Sequence, residues 1–144
     1  MTPRHTAIVD WDGTAVAAMW PERPTGFLPG FETAMRRMHK AGIKLVICSA
    51  RLSPFDPFTS QRREAHIVAG EVQYIRAMLD NAGLTFIDIW TLEGKPGGSV
   101  YIDDKAERYH GRPNSWRTLT EKILMRFKLE EPQFPAFDLT KEAV

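Results

Sequence analysis

Seven residues have side chains whose types and spacing could do chemistry: Asp10, Asp12, Ser49, Arg51, Lys95, Asp103 and Asp104. Most of them follow a short apolar run. Ala7-Ile8-Val9 leads into Asp10-Trp11-Asp12-Gly13-Thr14, Ile43 to Cys48 leads into Ser49-Ala50-Arg51, and Val100-Tyr101-Ile102 leads into Asp103-Asp104, with Lys95 shortly before. Strand alternation places Asp10 and Asp12 on one side and the bulky Trp11 elsewhere. Two carboxylates converging on one point repel unless something positive sits between them, and a hard, oxygen-loving cation such as Mg²⁺ suits that place. Gathered at one edge, the groups amount to phosphate-handling chemistry. A carboxylate can attack phosphorus and form an aspartyl-phosphate. A second can protonate the leaving oxygen and then activate water. A hydroxyl, an ammonium and a guanidinium can neutralise phosphoryl oxygens, and a further carboxylate completes a metal site.

These groups need strands and turns to hold them. Residues 5–9 read as a buried strand stopped by a turn. Residues 15–28, punctuated by Pro21, Pro24 and Gly26, read as a loop. Pro29 and Gly30 open a helix whose apolar positions are Phe31, Ala34, Met35 and Met38, and Gly42 stands where a left-handed C-terminal cap belongs. Ile43 to Cys48 is the near-continuous apolar run of a strand buried on both faces. Residues 52–61 read as a loop, and 62–82 as a long helix with Ile67, Val68, Val72, Ile75, Met78 and Leu79 on its apolar face and Gly83 as its stop. Strands over 86–90 and 99–102, a turn-rich stretch from Thr91 to Gly98, and a helix near 118–128 complete the pattern. Strand–helix alternation argues for an α/β domain with a mainly parallel central sheet and helices on both faces. Right-handed crossovers would bring the ends of the first, second and fourth strands together.

Composition narrows the classes. The chain has 144 residues, 43% hydrophobic and 26% charged, with 19 basic and 18 acidic side chains. That is a single ordinary domain, residues 1–144, without a global field that favours nucleic acid or membrane. The single cysteine, Cys48, cannot form an internal disulfide and reads as a buried, inert thiol. No run reaches the ~18 apolar residues of a membrane span, and the N-terminus lacks the apolar region of a signal peptide, so a cytoplasmic location is expected. The histidines show no metal-ligand spacing. Arg36-Arg37 and Arg62-Arg63 read as solvated helix faces, and Trp11 as a wall of the site or a core residue.

The motifs together resemble the haloacid dehalogenase-like (HAD) phosphohydrolases. The first motif of that family is an apolar strand followed by Asp-x-Asp-Gly-Thr, as at Asp10 to Thr14. The second is an apolar strand ending in Ser or Thr, as at Ser49; the third is a lysine, as at Lys95; the fourth is an acidic pair after an apolar strand, as at Asp103-Asp104. All occur in order between residues 7 and 105. The resemblance implies a Rossmannoid three-layer fold and Mg²⁺-dependent hydrolysis of a phosphomonoester. It makes Asp10 the nucleophile and a metal ligand, and Asp12 the general acid/base, which also gives a backbone carbonyl to Mg²⁺. Thr14, Ser49 and Lys95 would serve the phosphoryl group or substrate, Thr14 with Gly13 also supporting the turn. Asp103 or Asp104 would complete the metal shell. The stretch 94–106 is also similar to small HAD proteins of capsule or sugar biosynthesis. Ser49-Ala50-Arg51 is similar to polynucleotide kinase 3′-phosphatase domains, which suggests a phosphate contact for Arg51; pairing with a core carboxylate is the alternative.

Family members often carry a cap domain, and no stretch here has room for one. An open site would be covered by an oligomer partner or serve a larger substrate. Phe55 and Phe58 in the loop 52–61 could stack on a base or sugar, or simply tuck into the sheet. The expected substrate is a phosphorylated small molecule or a nucleic-acid end, with no membrane partner. The alternative function is a catalytically weak domain that binds a partner or a phosphorylated ligand. The tail from Glu130, with Pro132, Phe134, Pro135 and Phe137, reads as a surface or association segment.

Overall fold

A computed structural model of the chain describes residues 5–17 and 20–129. The expectation for the tail lies outside the described residues. In order, the elements are β1 (His5–Val9), α1 (Phe31–Lys40), β2 (Ile43–Ile47), a short 3-10 helix (Ala50–Leu52), α2 (Ala65–Asn81), β3 (Asp88–Ile89), β4 (Val100–Ile102) and α3 (Ser115–Arg126). All four strands are parallel, in the order β3-β2-β1-β4. The molecule is therefore mixed α/β with an all-parallel sheet, as a Rossmann-like pattern requires. The first, second and fourth strands are neighbours, with β1 in the middle.

By contacts the chain divides into two compact units, one ending at Asp104 and one starting at Lys105. Every candidate site residue belongs to the first. Its core gathers Ala7 and Val9 of β1, Leu45 and Ile47 of β2, Phe31 and Met35 of α1, and Ile75 and Leu79 of α2. Alternation explains the set: odd-numbered strand residues share one face. Direction explains why both helices join it. The chain steps from β1 to β2 to β3 the same way, and right-handed crossovers then place both connecting helices on one side of the sheet. The return from β3 to β4 runs the other way. Pro96 and Gly97 on that return line a cavity of about 490 Å³ together with Thr6, Ile8, Lys44 and Val46. Within this unit, then, the segment leading into β4 lies against the face that carries Thr6 and Ile8.

That segment lies tight on the sheet. The Ser99 amide donates to the Thr6 carbonyl at 2.7 Å, and the Thr6 amide donates to Ser99 Oγ at 3.2 Å. A Cβ on Gly98 would stand 2.5 Å from Ile8 Cγ1 and 3.3 Å from the Thr6 carbonyl oxygen.

Several boundaries shift from expectation for local reasons. Helix α2 begins at Ala65 because residues 53–63 fold back on themselves: Phe55 bridges Arg62, the Arg63 amide donates to the Pro54 carbonyl, and the Asp56 carboxylate accepts from the amides of Phe58 and Thr59. Arg63 is not a solvated helix face. Its Nη1 donates to the Arg51 carbonyl at 2.8 Å, and its guanidinium lies over the Trp20 ring. Arg36 likewise reaches the Ala82 carbonyl at 2.6 Å, tying α1 to the end of α2. Gly42 and Gly83 adopt the left-handed conformation expected of them.

In the second unit, Glu107 accepts from Lys122 at 2.8 Å and Arg126 at 3.4 Å. Those partners, Lys122 first, hold its carboxyl below the usual range. Among the described residues no helix is long and apolar enough to cross a membrane.

The Gly98 contact makes a direct prediction. Gly98→Ala should destabilise the fold by about 1–3 kcal/mol, the range for overpacking, when followed by urea unfolding. Gly26→Ala, where a Cβ meets nothing within 4 Å, should leave the midpoint almost unmoved.

Candidate functional site

The strand register builds the site. Val9 is level with Ile47 on β2 and with Ile102 on β4, and Ile47 is level with Ile89 on β3. The next residues along, Asp10, Cys48, Asp103 and Trp90, therefore form one row at the carboxyl end of the sheet. Ladder bonds run one residue past the strands to fix it. The Asp10 amide donates to the Ile102 carbonyl at 3.0 Å, Cys48 to Val9 at 3.0 Å, and Trp90 to Ile47 at 2.8 Å. Asp10 is thus the middle of the row, at the end of the central strand.

After Asp10 the chain turns tightly. The amides of Ala15 and Val16 donate to the Trp11 carbonyl, and the Gly13 amide donates to Val16. Trp11 itself is fully buried, edge-on to Phe27, and belongs to the core. Gly13 has φ +78°, and a Cβ there would lie 2.5 Å from a carboxylate oxygen of Asp104. Only glycine suits both demands. Thr14 joins two strand ends: its hydroxyl donates weakly to Asp10 Oδ2 at 3.4 Å and accepts from the Asp104 amide at 3.1 Å. The turn and the acidic pair after β4 therefore support each other.

Carboxylate oxygens of Asp10, Asp103 and Asp104 lie within 4.8 Å of one another. A Mg²⁺ ion bound about 2.0–2.1 Å from each oxygen spans opposed ligands about 4.2 Å apart. An all-oxygen donor set of this size suits such an ion after a small closing of the triad. Burial pushes the Asp10 carboxyl up to about 6; the Trp11 amide opposes this, and the charges of Asp103, Asp104 and Asp12 add to it.

Asp12 is not part of that cluster through its side chain. The positive charge beside it is Arg51. Arg51 Nε donates to Asp12 Oδ2 at 3.2 Å and Nη2 donates to Asp12 Oδ1. Arg51 Nη1 donates to Glu71 Oε2 at 3.4 Å. The Arg51 side chain has no exposed surface, and the partners it has are carboxylates, the pairing expected as the alternative to a phosphate contact. Burial opposes its charge, but the hydrogen bonds and charges of Asp12 and then Glu71 outweigh this and raise its pKa above the usual value.

Ser49 sits at the start of the 3-10 helix, where its hydroxyl accepts from the Arg51 amide at 3.2 Å. Lys95 is exposed, with its ammonium 4.0 Å from the centroid of the Tyr101 ring. Its charge still reaches the row, because it acts on the Cys48 thiol. That half-buried thiol is pushed up by desolvation first and by Asp10 second, against Lys95, which agrees with an inert cysteine.

Glu71 is the residue that sequence reasoning missed. Its side chain is 4% exposed and also accepts from Arg23 at 3.0 Å. One signal was available: Glu71, Ile75 and Leu79 are spaced by four, so the acid shares the buried stripe of α2.

No family model matches the chain, and no curated protein or solved structure is similar enough to count as a match.

Two outcomes follow from the acidic cluster. A carboxyl whose pKa is raised in the folded state stabilises below its unfolded value, 3.8, and that contribution is lost as pH rises through about 6. Asp10→Asn should therefore raise the metal-free Tm at neutral pH and flatten the fall in Tm across that window. Gly13→Ala should lower stability by about 1 kcal/mol or more and weaken the Mg²⁺-induced rise in Tm, because the new methyl displaces the Asp104 carboxylate.

Proposed function

We propose that this protein is a Mg²⁺-dependent phosphomonoester hydrolase of the capless HAD-like type, working through an aspartyl-phosphate on Asp10. The observation that carries the reading is the convergence of Asp10, Asp103 and Asp104 at the end of the central strand, with Asp12 beside them on a separate guanidinium. Mg²⁺, when bound by Asp10 and the Asp103-Asp104 pair, would offset the repulsion between an anionic nucleophile and an anionic substrate.

The chain's own residues supply the rest. A carboxylate oxygen of Asp10 attacks phosphorus, and the bond from phosphorus to the ester oxygen breaks. Asp12 in its protonated form gives its proton to that oxygen where the leaving group needs one. As a carboxylate, Asp12 then takes a proton from a water whose oxygen attacks the phosphorus. The bond from phosphorus to Asp10 breaks, and inorganic phosphate leaves. Ser49, one residue past the row, is suited to donate to a phosphoryl oxygen, and Lys95 supplies positive charge from the approach to β4. In this reading Thr14 supports the turn and Arg51 acts on Asp12. The substrate class spans phosphorylated nucleotides, nucleic-acid 3′-ends and sugar phosphates, and a second copy of the chain would be the natural cover for an open site.

A second reading, a domain that binds a phosphorylated ligand without turnover, draws on one observation: Lys95 rests on Tyr101. Phosphate release separates the two. The panel is an aryl phosphate, nucleoside monophosphates, sugar phosphates and a 3′-phosphorylated oligonucleotide, with and without Mg²⁺. The expected result is Mg²⁺-dependent release that Asp10→Asn lowers by at least about 10³-fold. Mg²⁺-dependent binding of a panel compound with no release from any of them would favour the second reading.

A further inference from the structure

We infer that Glu71 is a positioning residue: through Arg51 it fixes the carboxylate of Asp12 for the step that hydrolyses the aspartyl-phosphate. The inference rests on the phosphatase reading of Asp10 and Asp12.

Asp12 lies past the end of β1, where a single bridge to Val16 holds its backbone but makes no side-chain contact. What orients the side chain is the two-point contact from Arg51, through Nε and Nη2. A planar guanidinium that engages both carboxylate oxygens sets the plane of the carboxylate as well as its distance. Arg51 in turn follows Ser49 on a short 3-10 helix, whose carbonyls are tied down by Arg63. Its third nitrogen reaches Glu71 on α2, 20 residues along the chain. Glu71 is the link to a rigid element, because α2 is anchored in the core through Ile75 and Leu79. The acid is held from its other side as well, where Arg23 donates to Oε1 through Nε at 3.2 Å and Nη2 at 3.0 Å. Two arginines thus clamp one buried carboxylate, and one of them carries that fixed point to Asp12.

The brace suits one half-reaction better than the other. In the second half, water loses a proton to Asp12 while its oxygen bonds to phosphorus and the Asp10 ester bond breaks. That step needs a carboxylate aimed at one water, which is what a two-point guanidinium contact supplies. The first half needs no such aim when the leaving group departs as an anion.

Acetyl phosphate is the probe that separates the halves, because acetate leaves without a proton. The full chain, loaded with Mg²⁺, is mixed with acetyl phosphate. Phosphate release is followed together with the phosphorylated fraction, read by intact mass after an acid quench. In Glu71→Gln, phosphate release should fall about tenfold, a part of the 10²–10⁴ that a general base contributes in full. Phosphorylated protein should accumulate, KM should fall along with kcat so that kcat/KM holds within about twofold, and the Mg²⁺-induced shift in Tm should stay that of wild type. Glu71→Asp, which keeps the charge and shortens the reach, should show the same pattern more weakly, and it decides the matter where the glutamine variant does not fold. A merely structural role predicts a lower Tm with a wild-type phosphorylated fraction at a permissive temperature; that result, or an equal fall in both half-reactions, overturns the inference. Failure of the underlying reading looks different: wild type itself would then neither release phosphate nor take up the phosphoryl group, and the inference would fall with it.

Discussion

Repulsion between carboxylates is the constraint around which this site is built. The register of three parallel strands forces Asp10 and Asp103 into one row, and the turn after β1 packs Gly13 against Asp104. Burial makes the charge on Asp10 costlier still. A fold that wanted only stability would not collect acids here, since like charges at close range disfavour each other's ionisation. Strain of this kind at the carboxyl end of a parallel sheet belongs with ligand sites, because strand ends are where α/β sheets hold ligands.

The protein relieves the repulsion around its aspartates in two ways. Asp12 is withdrawn from the cluster by a resident cation, Arg51, which is itself buried and shared with Glu71. Buried ion pairs add little net stability over an apolar replacement, but removing one partner costs about 3–5 kcal/mol because the other charge is stranded. The Arg23–Glu71–Arg51–Asp12 chain is therefore better at fixing positions than at holding the fold together. In the proposed reading, Asp10, Asp103 and Asp104 instead share a bound Mg²⁺, their carboxylate oxygens lying within 4.8 Å of one another. Two aspartates spaced by one residue thus end in different electrostatic surroundings, one tied to a fixed guanidinium and one among further carboxylates.

The elements that do this positioning were largely legible in the sequence, because they rest on short-range patterns. Three strand ends, the left-handed glycines at 42 and 83, and the nearness of the first, second and fourth strand ends all follow from apolar runs, turn residues and crossover handedness. What was not legible depends on tertiary partners. Alternation put Asp10 and Asp12 on one side, but the turn that begins at Trp11 breaks the strand before Asp12, so the alternation no longer applies there. Arg51 read equally as a substrate contact or a core partner; its buried acid lies on α2, and nothing local marks which acid a guanidinium will choose. Nor did the apolar pattern show how the return from β3 meets the sheet, where Gly98 stands against Ile8 and Thr6.

The same logic explains why Gly13 and Thr14 follow the aspartates. Placing three acids together demands that the turn hold them in position against their mutual repulsion. Thr14 does so for two of them at once, accepting from the Asp104 amide while its hydroxyl leans on Asp10. Gly13 does so by omission, leaving the volume that the Asp104 carboxylate fills. The run from Asp10 to Thr14 is then one device. Asp10 joins the acidic cluster and Asp12 turns away to its guanidinium. Gly13 and Thr14 lock the acidic pair of a strand some 90 residues distant against the turn.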